Sequence, residues 1–163
     1  MKRILPFVFA LLFALCCVGC ESGDLEYNTP ATFYYCTGER NYASNSSVID
    51  SEERTINCAP NDYKAIMRCY LEGPDHRDMY SPFPKDISVT ELIVEEETTY
   101  ITFSTNLSYL TGVDLTLACI CIANTCFDLT HTQNVDISAE QALLDNAPSV
   151  FISYGSTLTS DIH

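Results

Sequence analysis

The segment from residue 111 to 126 limits the fold of this chain more than any other feature. Drawn as a helix, it is apolar on almost every side, because Leu117, Ile120 and Cys121 fill the positions beside its main apolar stripe. A helix of this kind needs cover from more than one direction, so we expect it to be the most buried element. The main stripe consists of Leu115, Ala118, Cys119, Ile122 and Cys126.

A shorter helix is predicted to precede it. Asn61 offers an N-cap, and Gly73–Pro74 ends the helix with a flexible residue followed by one that cannot continue. For the longer helix, Thr111 and Asp114 have the spacing of a capping box. The apolar residues of the shorter helix are spaced so that they lie on one face, which we expect to be buried. They are Tyr63, Ile66, Met67, Tyr70 and Leu71.

The remaining apolar segments have the character of short strands. Alternation is clearest where Ile101 and Phe103 alternate with polar neighbours, as in a half-buried hairpin arm. A helical turn is expected over 139–144. The element order predicts an α+β domain, in which both helices pack on one face of a small mixed β-sheet. The predicted strands are 31–36, 54–58 with a short piece near Val48, 87–94, 99–103, 134–137 and 150–154.

The first twenty residues have the pattern of a bacterial lipoprotein leader. Two basic residues precede an apolar run over 4–18, which is shorter than the roughly 20 residues needed to cross a bilayer. The following Gly19–Cys20 resembles a lipobox, whose cysteine thiol receives a diacylglyceryl group and becomes the new N-terminus. We predict a signal peptide over 1–19, a lipid on Cys20 and a place on the outer side of the cell membrane. The alternatives are an ordinary secretory signal and an uncleaved anchor.

The rest of the chain has the composition of one acidic domain. Eight Lys and Arg face 22 Asp and Glu, a net charge of −14, and the leader contains two of the basic residues. Such a surface repels nucleic acids and anionic lipid headgroups, so we expect no nucleic-acid binding and attribute membrane attachment to the lipid. We predict a tether over 20–30, a domain over 31–155 and a tail over 156–163.

Six of the nine cysteines lie beyond the leader and the lipid site. Outside the cytoplasm such a set is compatible with a disulfide framework. Cys119 and Cys126 share the apolar face of one predicted helix, and Cys69 lies beside apolar positions of the other, which favours core thiols over disulfides. Their pairing stays open at this point. The six are Cys36, Cys58, Cys69, Cys119, Cys121 and Cys126.

Several short motifs occur in a fixed order: LEGP at 71–74, SPFP at 81–84, ITFS at 101–104, Gly112, and NT at 124–125. In this order and spacing they resemble the GerMN domain of sporulation and spore-germination lipoproteins. An aromatic first strand over 33–35 also agrees with that family. The resemblance spans roughly residues 31–138, which is most of the chain after the leader.

The resemblance implies a fold like that of ring-building modules, which associate side by side. It therefore implies contacts with envelope or sporulation proteins, or with further copies of the chain, and no catalysis. Glu95–Glu97 stands where the family commonly has an Asp-Gly turn. A two-residue primed turn needs positive φ, so we expect a longer hairpin loop here. Asp86 also replaces a frequent family glycine, and the chain has room for one domain where well-studied members carry two.

No residue is predicted to act in catalysis or to hold a metal or cofactor. His76, His131 and His163 lack metal-ligand spacing, and Cys119 and Cys121 are not spaced like the cysteines of redox or zinc sites. The sequence thus predicts a membrane-anchored, non-enzymatic lipoprotein that acts in sporulation or spore germination through protein contacts. The alternative is a small wall-facing or solute-binding lipoprotein unrelated to sporulation.

Overall fold

The computed structural model describes residues 26–38 and 48–156. The signal peptide predicted over 1–19 and most of the predicted tether and tail lie outside these ranges. In chain order the elements are β1 (Thr29–Thr37), β2 (Ile49–Ile56), α1 (Tyr63–Leu71), β3 (Met79–Tyr80), β4 (Val89–Glu95), β5 (Thr98–Phe103), a 3₁₀ helix (Thr105–Tyr109), α2 (Gly112–Thr130), β6 (Asn134–Ala139) and β7 (Ser149–Ser153).

The strands form two sheets. The small sheet has the order β2-β1-β3 and is antiparallel, and the large sheet has the order β4-β5-β6-β7. The large sheet is mixed, because β5 and β6 are parallel while its outer pairs are antiparallel. The predicted α+β class is confirmed, with a mixed sheet and two helices. The division into two sheets differs from the single sheet that the sequence predicted.

The position of α2 explains this division. The helix contacts β1 of the small sheet on one side and β6 and β7 of the large sheet on the other. The backbone N–H of Tyr34 in β1 donates to the Thr125 hydroxyl oxygen of α2 at 3.1 Å. The prediction of a helix buried almost all round is confirmed. Its buried residues are Leu115, Ala118, Cys119, Cys121, Ile122, Ala123, Thr125, Cys126 and Phe127.

Among the described residues, α2 is also long and apolar enough to cross a membrane by length and composition. Half of its most apolar window is buried inside the protein, and the core helix of a soluble domain passes the same test. Because α2 lies between two sheets of one hydrophobic core, its composition is explained by packing.

The shorter helix α1 ends where predicted and has the predicted buried face. Ile66, Met67 and Tyr70 are fully buried, and the helix packs against β4 at the edge of the large sheet. Its N-cap is Asp62, one residue later than expected, and the carboxylate accepts from the Ala65 N–H at 3.0 Å. Gly73 follows the helix at a φ of 98°, the left-handed conformation that glycine adopts without strain.

Four local predictions are wrong. The strand expected over 54–58 begins earlier and is the longer strand β2. The sequence pattern did not reveal its length, because Glu52 and Arg54 lie on its covered side and interrupt the apolar alternation. The β4–β5 hairpin has a two-residue turn, Glu96–Glu97, and Glu96 itself adopts a φ of 50°. Positive φ is uncommon for glutamate, so the absence of glycine gave a misleading signal.

The other two errors concern the start of α2 and the segment before β7. Thr111 makes no capping hydrogen bond through its side chain, and the Gly112 N–H instead donates to Asp145 Oδ2 at 2.8 Å. That partner is distant in sequence, so local spacing does not reveal it. The helical turn expected over 139–144 is a tight turn, in which Ala139 pairs with Ala142 and Gln141 has a φ of 53°.

A buried ion pair connects the small sheet to the chain after α1. The Arg54 Nε donates to Glu52 Oε1, and another guanidinium nitrogen donates to the Gly73 carbonyl. Glu52 also accepts from the backbone N–H groups of Asp75 and His76, at 3.1 and 2.9 Å. Burial alone raises the pKa of Glu52, but the hydrogen bonds from Arg54, His76 and Asp75 outweigh it, so this pKa lies below its usual value.

Substitution of Glu52 by Gln tests this ion pair. The variant keeps the shape but leaves the largely buried Arg54 guanidinium with the exposed Asp75 carboxylate, 3.4 Å away, as its remaining ionic partner among the described residues. We therefore expect the free energy of unfolding to fall by about 2 kcal/mol. Urea denaturation of both proteins gives the difference. Glu53→Gln is the matched control, because Glu53 is an exposed neighbour on the same strand and should change stability little. Equal effects of the two substitutions would contradict the assignment.

The same carboxylate predicts a pH dependence. Because the pKa of Glu52 is lowered in the folded state, its contribution is complete above the usual carboxyl pKa and is lost as the pH falls through the lower native value. The stability difference between the wild type and Glu52→Gln should therefore shrink on acidification from about pH 7 to about pH 2. A difference that is constant or grows over this range would exclude a stabilising Glu52 carboxylate.

Candidate functional site

The predicted lipid site, Cys20, lies outside the described residues, so it stays a prediction. The described histidines do not assemble a site: His76 is exposed in the loop after α1, and His131 ends α2 with a φ of 57°. Over residues 26–38 and 48–156, no group of three or more His, Cys, Asp or Glu side chains has the arrangement to hold a metal ion.

The large sheet presents one side that the helices do not cover. Alternate side chains of β5 and β6 point into the core, including Ile101, Phe103, Val135 and Ile137, all fully buried. The residues between them form the opposite side, which we call the outer face. It consists of positions 91, 93 and 95 of β4, 98, 100 and 102 of β5, 134, 136 and 138 of β6, and 149, 151 and 153 of β7.

Strand register aligns the outer face into a central row across all four strands. Ile93 pairs with Tyr100, Tyr100 with Asp136, and Asp136 with Phe151. The three apolar members are 40%, 42% and 60% exposed, in the order Ile93, Tyr100 and Phe151. Large apolar side chains gathered in this way are typical of a surface that another molecule covers.

Asp136 occupies the middle of this row and lacks a partner for one oxygen. Its Oδ1 is inaccessible to solvent and accepts no hydrogen bond. Such an atom lowers the stability of the folded state, because it has lost its hydrogen bonds to water without gaining another donor. Native proteins contain few of them. Rotation of the carboxylate about its Cβ–Cγ bond would bring this oxygen to the surface, where a donor from a bound partner could satisfy it.

The outer face also contains a shallow groove of about 310 Å³. Glu91 and Glu95 line it from β4, and Tyr100 of β5 and Asp136 of β6 also line it. The hydroxyls of Thr102 and Ser138 hydrogen-bond each other at 3.0 Å. The groove therefore combines carboxylates with hydroxyls and apolar side chains. Its lining residues include no histidine, lysine or cysteine.

A second groove of about 460 Å³ lies between the start of β1 and the end of α2. One of its two carboxylates, Asp128, already accepts a hydrogen bond from the Tyr34 hydroxyl at 2.9 Å. Of the described residues, buried side-chain atoms without a hydrogen-bond partner occur at Tyr80 and Asp136, and neither lines this groove. The outer face is therefore the stronger candidate.

The sequence did not single out this site. The alternation of Val135 and Ile137 with polar neighbours places Asp136 on the outer side. The alignment with Tyr100 depends on the parallel pairing of β5 and β6, whose strands are separated by α2 in the chain. Local patterns do not fix such a register.

The structure superposes on tandem GerMN domains of the sporulation protein GerM from Bacillus subtilis with a TM-score of 0.59, over 83% of this chain. The fold is GerMN-like. The sequences are 15% identical, and this chain covers 49% of the tandem protein, so it spans about half of that structure. The resemblance that the sequence motifs predicted is thus confirmed at the level of the fold.

A second solved structure, a putative lipoprotein from Clostridium perfringens, matches over 78% of this chain and 89% of its own, with a TM-score of 0.49 and 12% identity. No family profile matches the sequence, and neither does any curated protein. The likeness of this GerMN-like chain to known proteins therefore lies in its backbone fold.

The unpaired oxygen in the GerMN-like domain predicts an unusual mutational effect. Asp136→Thr removes the desolvated carboxylate and adds a strand-favouring side chain, so we expect the free energy of unfolding to rise by about 1 kcal/mol. Asn134→Thr is the matched control on the same strand and face. It should lower stability, because Asn134 Oδ1 accepts from the Ser153 hydroxyl at 2.9 Å. Urea denaturation compares both variants, and a destabilised Asp136→Thr would show that the oxygen is satisfied.

Proposed function

We propose that this chain is an extracytoplasmic lipoprotein, anchored to the cell membrane through a lipid on Cys20. Its GerMN-like domain binds another envelope protein during sporulation or spore germination, and it catalyses no reaction. The observation that most directly supports this proposal is the central row of the outer face. In this row, exposed apolar side chains flank a carboxylate with one oxygen that lacks a hydrogen-bond partner.

The shape of the outer face suits a protein partner better than a small molecule. Small-molecule sites are concave and bury most of the ligand, whereas this groove is shallow and lies on an open sheet. Protein interfaces place aromatic and aliphatic anchors at their centre and polar groups at the rim. Here Tyr100 and Phe151 supply the anchors, and the serine and threonine hydroxyls around them supply the rim.

Charge defines the chemistry of the partner. Glu91 and Glu95 border the groove and Asp136 lies within it, while none of its lining residues is basic. A partner segment that brings a lysine or arginine to Asp136 gains an ion pair, and rotation of the carboxylate toward that group satisfies the unpaired oxygen. We therefore assign the outer face to a basic segment of another protein.

Strand β7 supports the same assignment. It is an edge strand of the large sheet, and its sequence Ser149–Ser153 contains no charge and no proline. Edge strands are usually protected by such residues because their free backbone groups pair readily with other chains. A partner that covers Phe151 also protects this edge.

The leader sequence supports attachment of the domain to the membrane. A cysteine lipidated at position 20 leaves eight residues between itself and Thr29, where β1 begins, and this span reaches at most roughly 30 Å. The domain would then stay close to the bilayer surface, although the acidic chain is repelled by anionic headgroups. The partner is therefore expected among proteins exposed at that surface.

Cys20→Ala tests the anchor. We expect the variant to move from the membrane fraction to the soluble extracytoplasmic fraction, since no thiol remains for the diacylglyceryl group. Cys16→Ala is the matched control, because it removes a leader cysteine outside the attachment position and should stay in the membrane fraction. Retention of Cys20→Ala in the membrane would contradict lipid anchoring through this residue.

A triple variant, Ile93→Ser, Tyr100→Ser and Phe151→Ser, tests the binding role. In the host, we expect it to stay anchored and folded but to reproduce the sporulation or germination defect of a gene deletion. The control replaces three other exposed apolar residues, Tyr109, Val113 and Leu143, by serine and should behave like the wild type. A deletion strain with normal spore yield and germination would remove the sporulation role. A wild-type phenotype of the outer-face variant would remove the binding face.

A further inference from the structure

We propose that Cys58 and Cys69 form a thiol–disulfide site, in which the two thiols become a disulfide by exchange with a small-molecule or protein disulfide. This inference is independent of the binding face and of the partner. It concerns a covalent modification of the domain in its oxidised state.

The two sulfurs are already neighbours in the fold. Cys58 lies between β2 and α1, and Cys69 lies in the last turn of α1. Their Sγ atoms are 3.6 Å apart and share a hydrogen bond. The Cys58 backbone is held in place, because the Thr29 hydroxyl donates to its carbonyl oxygen at 2.6 Å. A disulfide needs about 2.05 Å between the sulfurs, and the remaining approach requires rotation of two partly exposed side chains.

Access distinguishes this pair from the other described cysteines. Cys119 and Cys126 are buried in α2. Cys36 and Cys121 also share a hydrogen bond, but both are fully buried between β1 and α2. An external disulfide cannot approach those sulfurs while the core stays closed. Cys58 and Cys69 are only half-buried, so we expect a reagent to reach them in the folded protein.

The exchange balances without any other reactant. One thiol loses its proton, and the thiolate attacks the external disulfide to form a mixed disulfide while one external thiolate leaves. The second cysteine, deprotonated in turn, attacks the sulfur of its neighbour and displaces the other external thiolate. The protein loses two protons and two electrons, and the external disulfide gains both as two thiols. The protein sulfurs are oxidised and the external sulfurs are reduced.

The environment of Cys69 makes this reaction dependent on pH. Burial, reinforced by the hydrogen bond that Cys69 shares with Cys58 and by the charge of Glu72, outweighs the opposing charge of Arg54 and raises the pKa of Cys69 to about 11. The thiolate is the attacking species, so exchange should accelerate as the pH rises toward that value. The resulting bond would link the segment after β2 covalently to the end of α1. It would also reduce the number of conformations accessible to the unfolded chain.

Peptide mapping tests the proposal on the purified full-length chain in detergent. The folded protein is incubated with glutathione disulfide, quenched in acid, treated with a thiol-alkylating reagent and digested with trypsin. Cleavage after Arg54, Lys64, Arg68 and Arg77 places Cys58 on the peptide 55–64 and Cys69 on the peptide 69–77. We expect mass spectrometry to find these two peptides linked, and the oxidised protein to melt roughly 5 °C higher.

Two variants make the result specific. Cys58→Ser should abolish the linked species and leave Cys69 as a glutathione adduct or a free thiol. Cys119→Ser, the matched control, should form the link at the wild-type rate. The wild-type measurement does not depend on the folding of either variant. Peptides 55–64 and 69–77 that stay unlinked in the wild type, or a bond from either cysteine to a different one, would overturn the proposal.

Discussion

Burial of α2 on two opposite sides is the constraint on which the rest of this structure depends. A helix that is apolar almost all round cannot lie on one sheet with its back in water, and here β1 of the small sheet covers the side that the large sheet leaves open. The two sheets then share one hydrophobic core. This arrangement buries the inner face of the central strands β5 and β6 and leaves the outer face without cover from the described elements.

The small sheet is in turn fixed to α1 by interactions near the end of that helix. Glu52 and Arg54 of β2 bind the backbone at residues 73–76, and Cys58 shares a hydrogen bond with Cys69 in the last turn of α1. An ion pair and a cysteine pair thus hold the same junction, the first sensitive to acid and the second to oxidants. The outer face lies on the other sheet, so its chemistry is separate from both.

Periodicity predicted both helices, the buried face of α1 and the α+β class, because these features are properties of short segments. The motif order also predicted the GerMN-like fold. The second sheet, the Asp145 contact at the start of α2 and the Tyr100–Asp136 alignment depend on contacts distant in sequence. The Glu52–Arg54 ion pair was not predicted, since burial of a charged pair has no sequence pattern of its own. Lipidation of Cys20 stays a prediction from the leader.

Site-specific photo-crosslinking in living cells tests the central claim, that the outer face is a protein-binding surface. A photoreactive phenylalanine analogue at Phe151 reports on the outer face, and the same analogue at Val113 reports on α2, which packs on the inner side of the sheet. We predict a discrete crosslinked protein from position 151 in the membrane fraction, lost when Asp136 is replaced by Lys, and none from position 113. Equal crosslinking at both positions, or none at 151, would contradict a protein-binding role for the outer face.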